Sequence, residues 1–288
     1  MDSPENLAWV RRLSSRDYVG DALMLAGDVS HDLGAIEEVF SLLRRRFAHV
    51  FFVPGNHDLW VLGDTPDDSM SKFTQLLDLC RTLDVLTTPA RVGDEQGVVW
   101  ILPLLSWYLK PEESDDSLFV TKRGEDFSLD RWVDNRMIKW PPLPDRKSVA
   151  DYFLGWNERH LRRVDDVPVI TFSHFMSRSD LMFGTDEENA RDGGPVRDSH
   201  KPFNFSRVAG TKKLDVQIRK VGSVAHVYGH QHRNRHRIID GVRYVSHCLG
   251  YPHERQAGQI RHLTDSPRQI WDTSRAQGDP VIAAERGQ

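Results

Sequence analysis

The segment from Val50 to Trp60 constrains the fold more than any other, because a buried strand in it ends abruptly in polar residues. It reads Val-Phe-Phe-Val-Pro-Gly-Asn-His-Asp-Leu-Trp. Four consecutive apolar residues, two of them β-branched, predict a short strand buried on both faces, and the Pro-Gly pair ends it. Asn56, His57 and Asp58 follow. Ligands of open α/β sheets bind outside the carboxyl ends of the strands, so this triplet is well placed for chemistry.

Three other apolar runs end in the same way. They are Ala22 to Ala26 before Gly27-Asp28, Val167 to Phe172 before Ser173-His174, and Val224 to Val227 before Tyr228-Gly229-His230-Gln231-His232. Any one of these endings is explained equally well as an ordinary strand-to-loop turn. Four together favour a metal-binding cluster, since carboxylate, amide and imidazole groups are suitable ligands for Mn, Fe or Zn.

Taken in order, these motifs resemble the signature of the calcineurin-like metallophosphoesterases. That superfamily carries Asp-x-His, Gly-Asp-x-x-Asp, Gly-Asn-His-Asp/Glu, a (Gly/Ser)-His and Gly-His-x-His at successive strand ends. The resemblance covers roughly Leu23 to Arg255, and Gly-Asn-His-Asp followed by Gly-His-x-His is its most specific part. It implies an α/β fold in which two packed mixed β-sheets are flanked by helices, an α/β/β/α sandwich.

The resemblance also implies a metal-dependent phosphoesterase site. The metal ligands it implies are Asp28, Asn56, His174, His230 and His232. Asp28 would bridge two divalent ions, with the amide and the first two histidines at one ion and His232 at the other. A hydroxide held between the ions would attack the phosphorus of a phosphomonoester or phosphodiester. His57 would protonate the leaving alkoxide, and Asp58 would orient His57.

Each of these residues also has a structural interpretation. Taken alone, His174 is more readily explained as a core histidine whose hydrogen bonds are satisfied. For His230 and His232, alternation along a strand would place both on one face, which favours a shared metal over two structural histidines. Asp58 could cap a helix, and this role is compatible with an orienting one.

The family's first motif, Asp-x-His on the first strand, has no counterpart before Asp28. The sequence opens directly into a helical pattern, in which Ser3 suits a cap and Pro4 the first helical position. We therefore expect the first strand to be missing, one ion to be weakly bound or absent, and activity to be impaired. The alternative is a scaffold or binding protein with the same fold, against which the retained acid and base pair argues.

Composition narrows the class of protein. The chain has 288 residues and a net charge of −4, which argues against a nucleic-acid-binding face. Two cysteines, Cys80 and Cys248, provide no disulfide framework and suit a reducing compartment. No apolar run is long enough to span a membrane. We expect a cytoplasmic protein acting on a phosphate ester, although an organellar targeting segment could be missing with the N terminus.

The family resemblance, together with the local composition of the chain, implies the domain organisation. Residues 1–264 are predicted to form the metallophosphoesterase domain, and residues 265–288 a polar C-terminal tail. Residues 106–146 are rich in tryptophan and lack a sustained period, which fits an ordered cap over the site and a surface excursion equally well. Val85-Leu86 is predicted as a strand of the second sheet. Asp240-Gly241 is predicted as the turn of a two-residue β-hairpin.

Overall fold

Helices and strands alternate along most of the chain. The computed structural model describes residues 3–63, 66–94, 97–128, 132–161, 167–192, 194–195 and 202–272. The α-helices in these residues are α1 (Pro4–Arg12), α2 (Leu33–Arg44), α3 (Ser69–Thr82), α4 (Asp134–Met137), α5 (Val149–Asn157), α6 (Asp186–Arg191), α7 (Lys212–Lys220) and α8 (Pro252–Gln256). The strands are β1 (Ala22–Leu25), β2 (His49–Phe52), β3 (Ala90–Asp94), β4 (Gly97–Pro103), β5 (Val169–Phe172), β6 (Ser223–Tyr228), β7 (Arg235–Ile239) and β8 (Val242–Ser246).

The strands form two sheets. In the first, β1 and β2 run parallel, and Leu86 extends this sheet through a single parallel bridge to Phe51. The prediction that Val85-Leu86 belongs to the second sheet is therefore wrong, because the chain returns along β2 after α3. The second sheet has the strand order β3-β4-β5-β6-β8-β7; its four central strands are parallel and its two edge strands antiparallel.

Three apolar clusters hold the layers together. The cluster between the sheets joins Phe51 of the first sheet to Ile101 and Phe172 of the second. A second cluster packs α2 and α3 on the outer face of the first sheet, and a third packs α7 on the outer face of the second. This arrangement confirms the predicted sandwich of two sheets flanked by helices. Within the predicted tail, Ile270 and Trp271 pack against the cluster between the sheets, while residues 273–288 lie outside the described residues.

Local sequence explains where the main elements begin and turn. Asp32, Asp68 and Ser148 cap α2, α3 and α5 by accepting a backbone N–H three residues further along. Between β7 and β8, Asp240 and Gly241 have φ angles of 48° and 81°. Both values are left-handed, as a two-residue hairpin turn requires, so the predicted hairpin is confirmed. No helix among the described residues is long and apolar enough to cross a membrane.

Parallel strands bring the polar motifs to one edge of the sandwich. The segments that follow β1, β2, β5 and β6 carry Asp28, Asn56, His174 and His230. Because the carboxyl ends of parallel strands meet at the same edge, residues far apart in sequence become neighbours there. The direction of the strands alone is thus enough to bring these motifs next to one another.

A buried histidine on β6 predicts a loss of stability in acid. His226 is fully buried, with Nδ1 2.8 Å from the Thr171 hydroxyl and Nε2 3.1 Å from the Ser173 hydroxyl. Burial lowers the pKa of His226 to about 3. The unfolded chain binds this proton near pH 6.5, so stability present above that pH is lost as the pH falls. On going from pH 7.5 to pH 5 we expect this residue to lower the free energy of unfolding by about 2 kcal/mol.

Urea unfolding at the two pH values would measure this effect against His226→Gln, which cannot take up the proton. The variant should be less stable at pH 7.5, yet lose about 2 kcal/mol less on acidification. Equal losses in the two proteins would contradict the prediction.

Candidate metal centre

The loops after β1 and β2 approach each other so closely that both need glycine. A Cβ atom on Gly27 would lie 2.5 Å from the Gly55 nitrogen and 2.6 Å from Nδ1 of His174. A Cβ atom on Gly55 would lie 2.2 Å from Oδ1 of Asp28. Gly27 and Asp28 also have left-handed φ angles of 82° and 57°. A larger side chain at Gly55 would therefore displace the Asp28 carboxylate, and one at Gly27 would displace the Gly55 backbone or the His174 ring.

Four side chains converge at this edge. Oδ1 of Asn56 lies 3.1 Å from both Nε2 of His174 and Nδ1 of His230, and these two ring nitrogens are also 3.1 Å apart. Asp28 completes the group, with Oδ2 3.4 Å from Nε2 of His174. The Asp28, His174 and His230 ligand atoms all lie within 4.8 Å of one another. The structure therefore brings together four of the five predicted metal ligands.

Backbone carbonyls fix the protonation of both rings. Nδ1 of His174 lies 2.7 Å from the Ala26 carbonyl, and Nε2 of His230 lies 3.0 Å from the Val208 carbonyl. A carbonyl oxygen can only accept, so each of these nitrogens carries the ring proton. The other nitrogen of each ring, Nε2 of His174 and Nδ1 of His230, therefore carries a lone pair, and these two nitrogens face each other. Together with the amide oxygen they form a set of acceptors without a donor, which is the environment a cation requires.

The electrostatics of the residues agree with this assignment. Burial lowers the pKa of His174 and of His230, so both rings are neutral near pH 7 and able to bind a metal. Burial alone would raise the pKa of Asp28, but the adjacent histidines hold it well below its usual range. One carboxylate, one amide and two neutral imidazoles suit Mn, Fe or Zn. The residues present thus fit a divalent ion.

Asp58 organises the two loops that carry Asp28 and Asn56. Its carboxylate accepts four backbone N–H bonds, from Asp28 at 2.7 Å, Gly55 at 2.8 Å, Val29 at 2.8 Å and Ser30 at 3.0 Å. Burial and the nearby Asp28 charge raise the pKa of Asp58 to about 7, while these N–H donors oppose the rise. The predicted role of Asp58 in orienting His57 stays a prediction. What the structure shows is a carboxylate that ties the two loops together.

His57 and His232 lie on the wall of the same cavity. The His57 ring stacks on Trp60 with centroids 3.7 Å apart. Strand alternation does not explain how His230 and His232 come to share the site, because β6 ends at Tyr228. Both histidines lie in the following turn, with left-handed φ angles of 69° and 53°. Their common position results from this turn, and the prediction of a strand through them is wrong.

Asp134 is a functional candidate that the sequence reasoning missed. Its Oδ1 accepts a hydrogen bond from the Asn56 side-chain amide at 2.9 Å and another from the Trp60 indole at 2.6 Å. This contact fixes the amide so that the Asn56 oxygen faces the histidines. Burial raises the pKa of Asp134 to about 6. Asp134 belongs to the segment without periodicity, and nothing in its local sequence marks it as a partner of Asn56.

A cavity of about 1300 Å³ opens from the metal centre. Trp132, from the segment 106–146, stacks on Phe203 with centroids 5.5 Å apart and meets the His230 ring edge-on at 5.8 Å. Phe205 contributes a third aromatic ring beside His230. The 106–146 segment therefore forms part of the cavity wall. Several arginine side chains also line the cavity.

Two packed sheets, helices on both outer faces and a cluster of possible ligands at the strand ends define the class of protein as one with a metallophosphoesterase fold. Residues 3–234 match the calcineurin-like phosphoesterase family. The chain belongs to this family, and it is therefore a hydrolase that acts on phosphate esters. The family resemblance drawn from the strand-end motifs is confirmed.

Relatives and a solved structure agree with this assignment. The chain is 27% identical over 249 residues to the acyl-carrier-protein phosphodiesterase PptH of Mycobacterium tuberculosis, covering 81% of this chain and 70% of the relative. It is 22% identical over 241 residues to an uncharacterized protein of Acanthamoeba polyphaga mimivirus, covering 81% and 79% of the two chains. The crystal structure of phosphopantetheinyl hydrolase (PptH) from M. tuberculosis has the same fold, with a TM-score of 0.65, 24% identity and coverage of 85% and 86%.

Replacing Asp134 should weaken metal binding without removing a ligand. In Asp134→Ala the Asn56 amide loses the acceptor that orients it, so we expect Mn²⁺ affinity to fall about 10- to 100-fold. Isothermal titration calorimetry with Mn²⁺ would measure this change. Asp134→Asn keeps an oxygen for the same two donors and serves as the matched control, with a smaller loss. Unchanged affinity in the alanine variant would contradict the role assigned to Asp134.

Proposed function

We propose that this chain hydrolyses phosphodiesters with two divalent metal ions. The observation that carries the proposal is the meeting of the Asn56 oxygen with the His174 and His230 nitrogens, all acceptors, beside the Asp28 carboxylate. Bound ions of this kind supply Lewis acidity toward the phosphoryl oxygens and generate a nucleophile from water at neutral pH. Asp28 would contact both ions, with His232 at the second.

The residues of the chain have distinct tasks in this proposal. His57 lines the cavity next to the ligands, and its backbone N–H donates to Oδ1 of Asp28 at 3.0 Å. From this position its ring would give a proton to the departing alkoxide. Asp58 holds the loops that fix the distance between His57 and Asp28. Trp132 excludes water from the His230 side of the site.

The two ions are unequal in this proposal. Asp28, Asn56, His174 and His230 would hold the first ion, whereas Asp28 and His232 would hold the second. Fewer protein ligands mean weaker binding, so the second ion limits activity at low metal concentration. The alternative function is that of a scaffold protein with this fold. A scaffold would need neither the neutral rings of His174 and His230 nor His57 beside them.

The cavity supports a substrate larger than a simple phosphomonoester. Its volume of about 1300 Å³ exceeds what a phosphoryl group needs, and the Trp132–Phe203 stack gives it an apolar wall next to the ligands. The relative PptH acts as an acyl-carrier-protein phosphodiesterase. We therefore propose a phosphodiester with an extended arm, such as a phosphopantetheine-linked carrier protein, as the substrate class.

A metal titration would test the inequality of the two ions. We expect the metal-free protein to bind one Mn²⁺ tightly and a second about 100-fold more weakly, because loss of a supporting group alone costs 10- to 100-fold. His230→Ala should abolish the tight site, and His232→Ala only the weak one. Two ions of equal affinity in the unmodified chain would contradict the expectation.

Replacement of His57 would test the proton donor. We expect His57→Asn to lower kcat by about 10²- to 10⁴-fold on a phosphodiester with an alkoxide leaving group. The loss should be much smaller on bis(p-nitrophenyl) phosphate, because p-nitrophenolate leaves without protonation. Mn²⁺ affinity is the control and should stay within a few-fold of the unmodified chain. Equal losses on both substrates would show that His57 is not the proton donor.

A further inference from the structure

The segment Tyr251-Pro252-His253-Glu254-Arg255 reaches the metal centre from the C-terminal side, and the proposed function does not use it. It begins α8, where the Glu254 side chain accepts the backbone N–H of Tyr251 and the Tyr251 carbonyl accepts the backbone N–H of Glu254. We propose that Tyr251 and Glu254 are positioning residues, Glu254 for the His232 ring and Tyr251 for the His57 ring. This inference rests on the proposed function, since it concerns the second metal ligand and the proton donor.

Glu254 contacts His232 with both of its carboxylate oxygens. Oε1 and Oε2 lie 3.0 Å and 2.8 Å from Nδ1 of the ring. A carboxylate only accepts, so Nδ1 carries the ring proton and Nε2 presents the lone pair. Both side chains are largely buried, with 14% and 23% of their surfaces exposed. A carboxylate behind a ligating imidazole fixes the tautomer and makes the ring a better ligand.

The Glu254 carboxylate is itself held in place. Its Oε2 accepts the backbone N–H of Tyr251 at 2.7 Å. Arg255 donates to the Leu249 carbonyl at 2.8 Å and to the Gly250 carbonyl at 2.9 Å. The same guanidinium donates to Oδ1 of Asn6 at 2.8 Å, which attaches the segment to α1. Glu254 therefore approaches His232 from a rigid support.

Tyr251 contacts both histidines. Its hydroxyl lies 3.4 Å from Nδ1 of His57, and its ring meets the His232 ring edge-on, with centroids 5.5 Å apart. Trp60 stacks on the His57 ring, so the imidazole is held by a stacked indole and a hydroxyl. The acid form of a histidine is the imidazolium, in which Nδ1 donates to the Tyr251 oxygen. The Nε2 proton is then the one that passes to the alkoxide, which leaves a neutral ring.

The Glu254 contact can be tested without any metal or substrate. In the metal-free full chain, at a pH high enough for the His232 ring to be neutral, long-range ¹H–¹⁵N spectra of the histidine rings should show His232 protonated at Nδ1 alone. Glu254→Ala should move the proton to Nε2 or give a mixture, whereas Glu254→Gln should retain part of the Nδ1 form. Gln256→Ala, an exposed position on the same helix, is the matched control and should change nothing. An Nδ1 tautomer unchanged in the alanine variant would overturn the assignment to Glu254.

Metal titration gives a second readout for Glu254. We expect Glu254→Ala to weaken the weaker of the two Mn²⁺ sites about 10- to 100-fold and to leave the tight site unaffected. A loss at the tight site of the same size would mean a general structural role and would overturn the proposal. If the chain proves inactive on every phosphodiester, the ring spectra still decide the role of Glu254, so the two failures are distinguishable.

Tyr251→Phe tests the second contact, since it removes only the hydroxyl. The His57 ring spectrum of the metal-free variant should change tautomer or broaden. On a phosphodiester with an alkoxide leaving group kcat should fall about 10-fold, with KM unchanged, because the ring is less well positioned but still present; loss of the acid itself would cost about 10²- to 10⁴-fold. On bis(p-nitrophenyl) phosphate it should be unaffected. A His57 spectrum identical to that of the unmodified chain, or equal losses on both substrates, would overturn the assignment to Tyr251.

Discussion

The metal centre depends on the buried Asp58 carboxylate, which accepts four backbone N–H bonds from the loops after β1 and β2. Charge-assisted bonds to buried amides are strong, and here they hold together two loops that approach each other closely at Gly27 and Gly55. Asp28 and Asn56 lie on these loops. The distance between these two ligands is therefore set by the Asp58 side chain, which does not itself face the site. Removing the Asp58 side chain would leave four amides without their acceptor and the ligands unplaced.

The two buried histidines His174 and His230 are oriented by backbone carbonyls rather than by acidic side chains. The Ala26 carbonyl lies at the end of β1 and orients His174, which follows β5 in the other sheet. The Val208 carbonyl orients His230 in the same way. Because the sheets pack face to face through buried aromatic and aliphatic residues, a change in sheet spacing would break these bonds. Packing of the sandwich core and protonation of the ligands are therefore coupled.

The sequence predicted those parts of the site that follow from a strand and the turn after it. Four of the proposed ligands could be predicted because each follows an apolar run and parallel strands end at one edge of a sheet. They are Asp28, Asn56, His174 and His230. The role of Asp134 could not be predicted from the sequence, because it is 78 residues from its partner Asn56 and belongs to a segment with no periodicity. Local patterns carry no information on such contacts, since the chain between the partners folds back through tertiary packing.

The wall of the cavity and the metal ligands are physically linked, so substrate selection and metal binding are not independent. Asp134 and Trp132 come from one excursion of the chain; one orients Asn56 and the other contacts His230. Arg207 pairs with Glu113 and Glu125 of the same excursion and directly precedes Val208, whose carbonyl orients His230. A substrate arm that displaced this wall would therefore move Asn56 and His230, two of the proposed metal ligands. Substitutions that widen the cavity should for the same reason carry a cost in metal affinity.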